Sequence, residues 1–386
     1  MLAGMSRSAD LLAHLVAFDT TSRNSNLPLV DWVRDYLDGL GVESRLVPDA
    51  SGAKANLLAS TGPLETPGIV LSGHTDVVPV DGQAWSVDPF RPTLRDGRLY
   101  GRGTTDMKGF LACALAAAAQ AAGTPLKKPL KLAISYDEEI GCVGIADMIA
   151  SLEPGIGLPE CCIVGEPTSM RAAIGHKGKV FLRATCHGTP GHTAMAPDFL
   201  NALHLAADFI SALRDIQTRI EKSGPRDPAY AIPYSTVHAA RLAGGVALNI
   251  VPERAVLDFE VRHLASHDPR TIIADIEAAA EAIAAPHRAR FPDARIEVEV
   301  VKSYPGLDTP ADHPFVATVR DAAGGVETTK VAYGTEAGYF AGLGIPTVVC
   351  GPGDMDQGHK PDEFVAVSQL AACDAMLARL IEKVCR

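Results

Sequence analysis

Short apolar runs rich in β-branched residues alternate with stretches of helical period through the first half of the chain. The runs are Ile69 to Ser72, Leu130 to Tyr136 and Cys161 to Val164, and between the first two lies the Ala-rich stretch Gly109 to Ala122. This alternation predicts helices packed on a mainly parallel sheet, because parallel neighbours need a crossover that is usually a helix. Small residues would let that helix lie close to the sheet. From Lys179 the rhythm changes. A strand over Lys179 to Cys186, a helix from Leu200 to Ile220, strands over Ser235 to Leu242 and Ala255 to His263, a helix from Pro269 to Ala285 and a strand over Arg295 to Val301 make a β-α-β-β-α-β order. After Tyr304 the first rhythm resumes, with a helix over Pro314 to Ala323, a strand over Pro346 to Cys350 and a helix from Ser368 to Val384. The expected architecture is α/β, a mainly parallel-sheet domain of residues 1–178 and 305–386 into which a βαββαβ α+β domain of residues 179–304 is inserted.

Composition narrows the class. A chain of 386 residues with 47% hydrophobic and 21% charged residues has ample material to bury, and its length predicts two domains. A net charge of −11 offers no support for binding a phosphate backbone, so nucleic acid is not an expected partner. The longest apolar candidate, Leu111 to Ala122, is far short of the roughly 20 residues that span a bilayer, and no membrane partner is expected. Arg7 and Asp10 interrupt the first apolar pattern before a secretory core can form, which points to the cytoplasm. The eight cysteines show no C-x-x-C spacing and read as buried thiols without disulfides.

The candidate chemistry begins directly after the first apolar run, at Gly73-His74-Thr75-Asp76. Residues two apart on an extended segment face the same side, so Asp76 is placed to orient the His74 ring. Three acidic sites follow: Asp106 in a glycine-rich turn, Asp137-Glu138-Glu139 after Leu130 to Tyr136, and Glu166 after Cys161 to Val164. The intervals of 32, 33 and 27 residues from His74 to Asp106 to Glu139 to Glu166 each suit one strand-helix unit. Open α/β sheets build sites at the carboxyl ends of their strands, so these acids would converge. Several buried carboxylates repel one another unless a cation neutralises them, and a histidine and carboxylate donor set suits zinc, cobalt or manganese. His359, beyond a late strand and the Gly351-Pro352-Gly353 turn, is the second histidine candidate. Asp137 reads as the cap of a helix starting near Glu138. Glu139 is assigned to metal and Glu138 to a water that the metal acidifies, which is the equipment for hydrolysing an amide. Nucleophile-elbow, phosphate-loop, dinucleotide and H-E-x-x-H motifs are absent from the sequence. Gly175 to Gly178 reads as a hinge or an ordinary turn.

The ordered set SGHTDVVP, GRGTTDMKG, SYDEEIGCVG, VGEPT and GPGDMDQGHKPDE resembles the dinuclear-zinc aminoacylase and carboxypeptidase family along essentially the whole chain. The resemblance implies a zinc-hydrolase catalytic domain and an inserted dimerisation or lid domain that makes a homodimer. It further implies two divalent ions per subunit, zinc first and cobalt second. His74, Asp106 and Glu166 would hold one ion and Asp106, Glu139 and His359 the other, with Asp106 bridging and Glu138 as general base. The peptide after Asp106 would be cis. His192, in Gly191-His192-Thr193, would reach the neighbouring subunit's site, the plainer alternative being a loop or helix cap. Asn249 and Arg262 are candidates for a substrate α-carboxylate, and Glu336 for a side-chain ammonium. Pairing with a nearby acid is the alternative for Arg262, and a helix-start carboxylate the alternative for Glu336. The implied substrate is a small N-acyl amino acid. Thr105 and the run AYGTEAGYF favour removal of an acetyl over a succinyl group, with peptidases and a non-catalytic relative as the competing readings.

Overall fold

The computed structural model describes residues 6–385. The chain divides into two compact units, one running to His176 and resuming at Leu307, the other spanning Lys177–Gly306.

The first unit is built on a mixed sheet whose centre is parallel. Its strands lie in the order Ser44–Pro48, Ala55–Ser60, Leu130–Ser135, Ile69–His74, Cys161–Pro167, Thr347–Gly351, Ala173–His176 and Leu307–Asp308. Pairing is parallel among the four strands from Leu130–Ser135 to Thr347–Gly351 and antiparallel along the rest of this order, while a further strand, Thr329–Val331, pairs parallel with Ala173–His176. The central strands are buried along their whole length, which explains why their sequences are continuous apolar runs rather than alternating ones. The expected helix Gly109 to Ala122 is Lys108–Ala122, and nearly every side of it is buried against the sheet and against the helices Arg7–Val16 and Val367–Leu380. Close approach is what its small residues provide. A Cβ on Gly165 would fall 1.8 Å from the Phe110 ring, so the strand must carry glycine where the helix presents its aromatic.

Differences from expectation are local. The strand Ala55–Ser60 was not expected, because Ala-Asn-Leu-Leu-Ala-Ser carries no β-branched residue, yet all six positions are buried. The third central strand runs on to Pro167, since Gly351 continues the pairing opposite it. Glu166 therefore lies within the strand and not after it. The last helix ends at Leu380 and passes into a wider turn up to Cys385.

The second unit is a four-stranded antiparallel sheet in the order Thr236–Gly244, Arg254–His263, Gly178–His187, Arg295–Tyr304, with helices Ala202–Ser223 and Pro269–Ala284 on one face. This is the βαββαβ order read from the sequence. Strict alternation along Gly178–His187 and Arg254–His263 puts Val180, Leu182, Ala184, Leu257, Phe259 and Val261 into a core with Phe209, Leu213 and Ile276. Phe209 meets Phe259 edge-on with ring centres 5.8 Å apart, a favoured aromatic geometry. Both units have their own core.

Candidate metal centre

The site is assembled in the first unit at the carboxyl ends of its parallel strands. His74 is the last residue of its strand and lies in register with Ser135, the last of the neighbouring strand. Glu138 and Glu139 follow directly. His74 Nδ1 is 2.9 Å from the Asp76 backbone carbonyl and 3.4 Å from its carboxylate, so the ring donates from Nδ1 and turns Nε2 inward. The Asp76 carboxylate has a second task. It accepts the backbone N–H of Glu138 at 3.0 Å, that of Glu139 at 3.2 Å and the Ser22 hydroxyl at 2.7 Å. One acid thus orients the first histidine and fixes the turn that presents both glutamates.

Asp106 lies between two groups of candidate donors. Its Oδ1 is 3.2 Å from His74 Nε2, which in turn is 3.6 Å from Glu166 Oε1. Its Oδ2 is 3.2 Å from His359 Nε2, which is 3.0 Å from Glu139 Oε2. The peptide between Asp106 and Met107 is cis. Donor atoms of His74, Asp106 and Glu139 fall within 4.8 Å of one another, as do those of His74, Glu138 and Glu166. His359 is the exposed member of the set, its side chain 51% accessible against 1% for His74.

The electrostatics describe a cluster short of positive charge. Burial alone would lower the His74 pKa, but Asp106, Asp76 and Glu166 outweigh it and raise the imidazole well above its ordinary value. Hydrogen bonds to Asp106 and Glu139 raise His359 to about 10. Burial, reinforced by neighbouring carboxylates, pushes Glu138 and Glu166 well above the carboxylate range and Glu139 to about 7. Asp106 is driven the other way, because the two histidines overcome the burial that opposes its ionisation. Glu139 Oε1 is buried with no hydrogen-bond partner. Inward-facing imidazole nitrogens, four clustered carboxyls and an orphaned buried oxygen fit hard or borderline divalent ions, whose charge would hold the carboxyls ionised and the imidazoles neutral.

The other expected residues are placed as follows. Asp137 is not a helix cap, since the helix after it begins only at Ile145. It takes a left-handed backbone, φ 56°, and pairs with Lys54 at 2.5 Å. Glu336 is 1% exposed, with Oε2 accepting the Ser135 hydroxyl at 2.8 Å, Oε1 unpartnered, and burial raising its pKa to about 7. The remaining three belong to the second unit. His192 is exposed and caps a short 3-10 turn, Nδ1 accepting the Ala194 N–H at 3.1 Å. Asn249 is exposed, in a loop whose neighbours Val246 and Leu248 are 88% and 99% accessible. Arg262 pairs with Glu260 at 2.8 Å, as its alternative reading anticipated. Sequence reasoning missed Ser22 and Ser135, which carry no local signal. It also left unassigned Arg102 and Glu363, which are charges embedded in the two glycine-rich motifs.

Residues 70–383 match the profile of Peptidase family M20/M25/M40. The chain is 34% identical to acetylornithine deacetylase of Myxococcus xanthus over 379 residues, covering 97% of this chain and 96% of that one. Among solved structures, an M20 metallo-carboxypeptidase from Sulfolobus solfataricus superimposes with a TM-score of 0.76 at 18% identity, covering 98% of this chain and 99% of that one. A dinuclear metal-binding M20 peptidase from Bacillus subtilis does so with a TM-score of 0.68 at 17% identity, covering 97% and 96%. The chain belongs to the M20/M25/M40 peptidase family, and is a hydrolase of that metal-dependent class. Among the described residues no helix is long and apolar enough to cross a membrane.

Proposed function

We propose that this protein removes the acetyl group from N2-acetyl-L-ornithine, giving L-ornithine and acetate in the cytoplasm as a step of arginine biosynthesis. The observation that carries the reading is the placement of Glu138 within a cluster of His74, His359, Glu139 and Glu166 around Asp106. The identity of about a third to acetylornithine deacetylases, spread over nearly the full length, supports the choice of substrate.

Two divalent ions, zinc or else cobalt, would be held by His74, Asp106 and Glu166 and by Asp106, Glu139 and His359. When bound they supply the positive charge that polarises an amide carbonyl and acidifies water. Glu138 takes the proton of the attacking water and returns it to the departing nitrogen as the carbon–nitrogen bond breaks, leaving acetate and the free amine. Asp76 keeps Glu138 in place through its backbone N–H.

Recognition is assigned to the second unit and to Glu336. Arg262 and Asn249 would bind the α-carboxylate, with Arg262 exchanging Glu260 for the substrate. Glu336 serves as acceptor for the side-chain ammonium, since its Oε1 has no partner in the protein and a ligand amine reaching that depth would supply one. His192 would donate to the oxyanion in the active site of a homodimeric partner. Activity toward a panel of N-acetyl and N-succinyl amino acids and dipeptides, measured with zinc and with cobalt, tests the reading. Preference for acetylornithine is expected. A preference for succinyl-diaminopimelate, dipeptides or acetylated apolar amino acids would overturn the substrate, and silence with both metals bound would mean a binding relative without chemistry.

A further inference from the structure

His359 holds its place at a disadvantage. It has a left-handed backbone, φ 61°, that non-glycine residues rarely adopt, and a side chain half open to solvent, yet its Nε2 meets both Asp106 and Glu139. Such a conformation persists only where the surroundings over-determine it. The fixing contacts come from a distant part of the chain. The Gln83 side-chain amide donates to the His359 carbonyl at 3.0 Å, and Arg102 Nη1 points at the next carbonyl, Lys360 O, at 3.4 Å. Arg102 Nη2 donates to Gln83 Oε1 at 2.6 Å, and that same oxygen accepts the Trp85 indole N–H at 3.0 Å. The Ser86 N–H donates to Asp362 at 2.8 Å.

The other end of this network is Asp106. Arg102 and Glu363 form a buried ion pair at 2.7 Å, with side chains 1% and 0% exposed. The second oxygen of Glu363 accepts the backbone N–H groups of Thr105 at 2.9 Å and Asp106 at 3.1 Å. A single carboxylate therefore grips the residue whose two oxygens face the two histidines, and it also grips the guanidinium that carries the His359 loop. His74 needs no such device, because the strand pairing with Ser135 already fixes it.

We propose that Gln83, held by Arg102, is a positioning residue that sets the affinity of one metal position, the one formed by Asp106, Glu139 and His359, while leaving the position formed by His74, Asp106 and Glu166 nearly untouched. This rests on the two-metal reading above. Outer partners of metal ligands commonly control affinity by about 10- to 100-fold, and here the control acts on one ion of a pair.

Gln83 is the member to alter, because it is only half-buried. Gln83→Ala removes the whole contact. Gln83→Glu keeps an acceptor for Arg102 but loses the donor to the His359 carbonyl. Zinc titration of the metal-free full-length protein by calorimetry, with melting of the metal-free variants alongside, reads the result without reference to activity. The expected outcome for both variants is one ion bound as in the parent and the second weakened about 10- to 100-fold, with metal-free melting temperatures close to the parent's. Unchanged affinity for both ions would overturn the inference, as would equal weakening of both. Should metal-free Gln83→Ala melt far below the parent, the titration of Gln83→Glu decides. If the parent itself binds fewer than two ions, the two-metal reading fails and this inference fails with it, whereas a two-ion parent with unaffected variants sinks the inference alone.

Discussion

The two units treat their candidate site residues in opposite ways. In the first, His74, Asp106, Glu166 and Glu336 are nearly sealed from solvent and converge on one another, at the cost of carboxyls forced toward their protonated forms. In the second, His192 and Asn249 are exposed, and Arg262 is occupied by an acid of its own strand. Buried unbalanced charge is expensive, so a cluster of this kind persists only where something of opposite sign completes it. Exposed polar residues cost little and carry no such requirement. The first unit therefore gathers donors that suit a cation, whereas the second presents its candidate residues to solvent.

The largest effect that tests this contrast is loss of the completing charge. Chelation should abolish hydrolysis, and zinc or cobalt should restore it. Activity that survives verified removal of metal would dissolve the contrast. Next is Glu138→Ala, expected to lower turnover by about a hundredfold or more while both ions stay bound. Glu139→Ala should instead lose metal, and equal metal content in the two variants by elemental analysis would refute the division between them. Comparable or smaller is His192→Ala in the second unit, for which we expect turnover to fall about a hundredfold with metal content and assembly state unchanged. Mixing it with Glu138→Ala under subunit exchange should return some activity. Demonstrated mixed dimers without that return would confine His192 to its own chain or to no role. The smallest effect is that of Arg262→Ala, a rise in KM of about tenfold with little change in kcat. A change in kcat with constant KM would move Arg262 out of recognition.

What the sequence reveals follows the same divide between near and far. The parallel-centred sheet and the βαββαβ insert are legible because burial of both strand faces, or of one, leaves a direct trace in the apolar pattern. The positions of His74, Glu138, Glu139 and Glu166 are legible because each acid or histidine lies at or near the end of an apolar run. The placement of Asp106 between two histidines, by contrast, came from family resemblance, since spacing alone does not choose a bridge. Asp137 looks like a local cap in sequence because its partner, Lys54, is more than eighty residues away. Asp76 was read as serving only its neighbour His74, and its bonds to the Glu138 and Glu139 amides depend on two strands meeting in space. The grip of Glu363 on Asp106 spans 257 residues and is invisible to any window along the chain.

One feature of strand register bears on how such a chain arose. His176 is in register with Leu307 where the first unit is interrupted, and Lys179 with Tyr304 where the second begins. The two crossings are thus neighbouring antiparallel segments, and the chain leaves one unit and re-enters it at almost the same point. A tight hairpin of a few residues would bridge that gap, because paired antiparallel strands need no more than this to be joined. A chain in which one such turn replaced residues 177–306 would keep the first unit's connectivity continuous. The junction is a natural site for exchange of whole segments between genes, and other domains whose ends lie side by side should be accepted there.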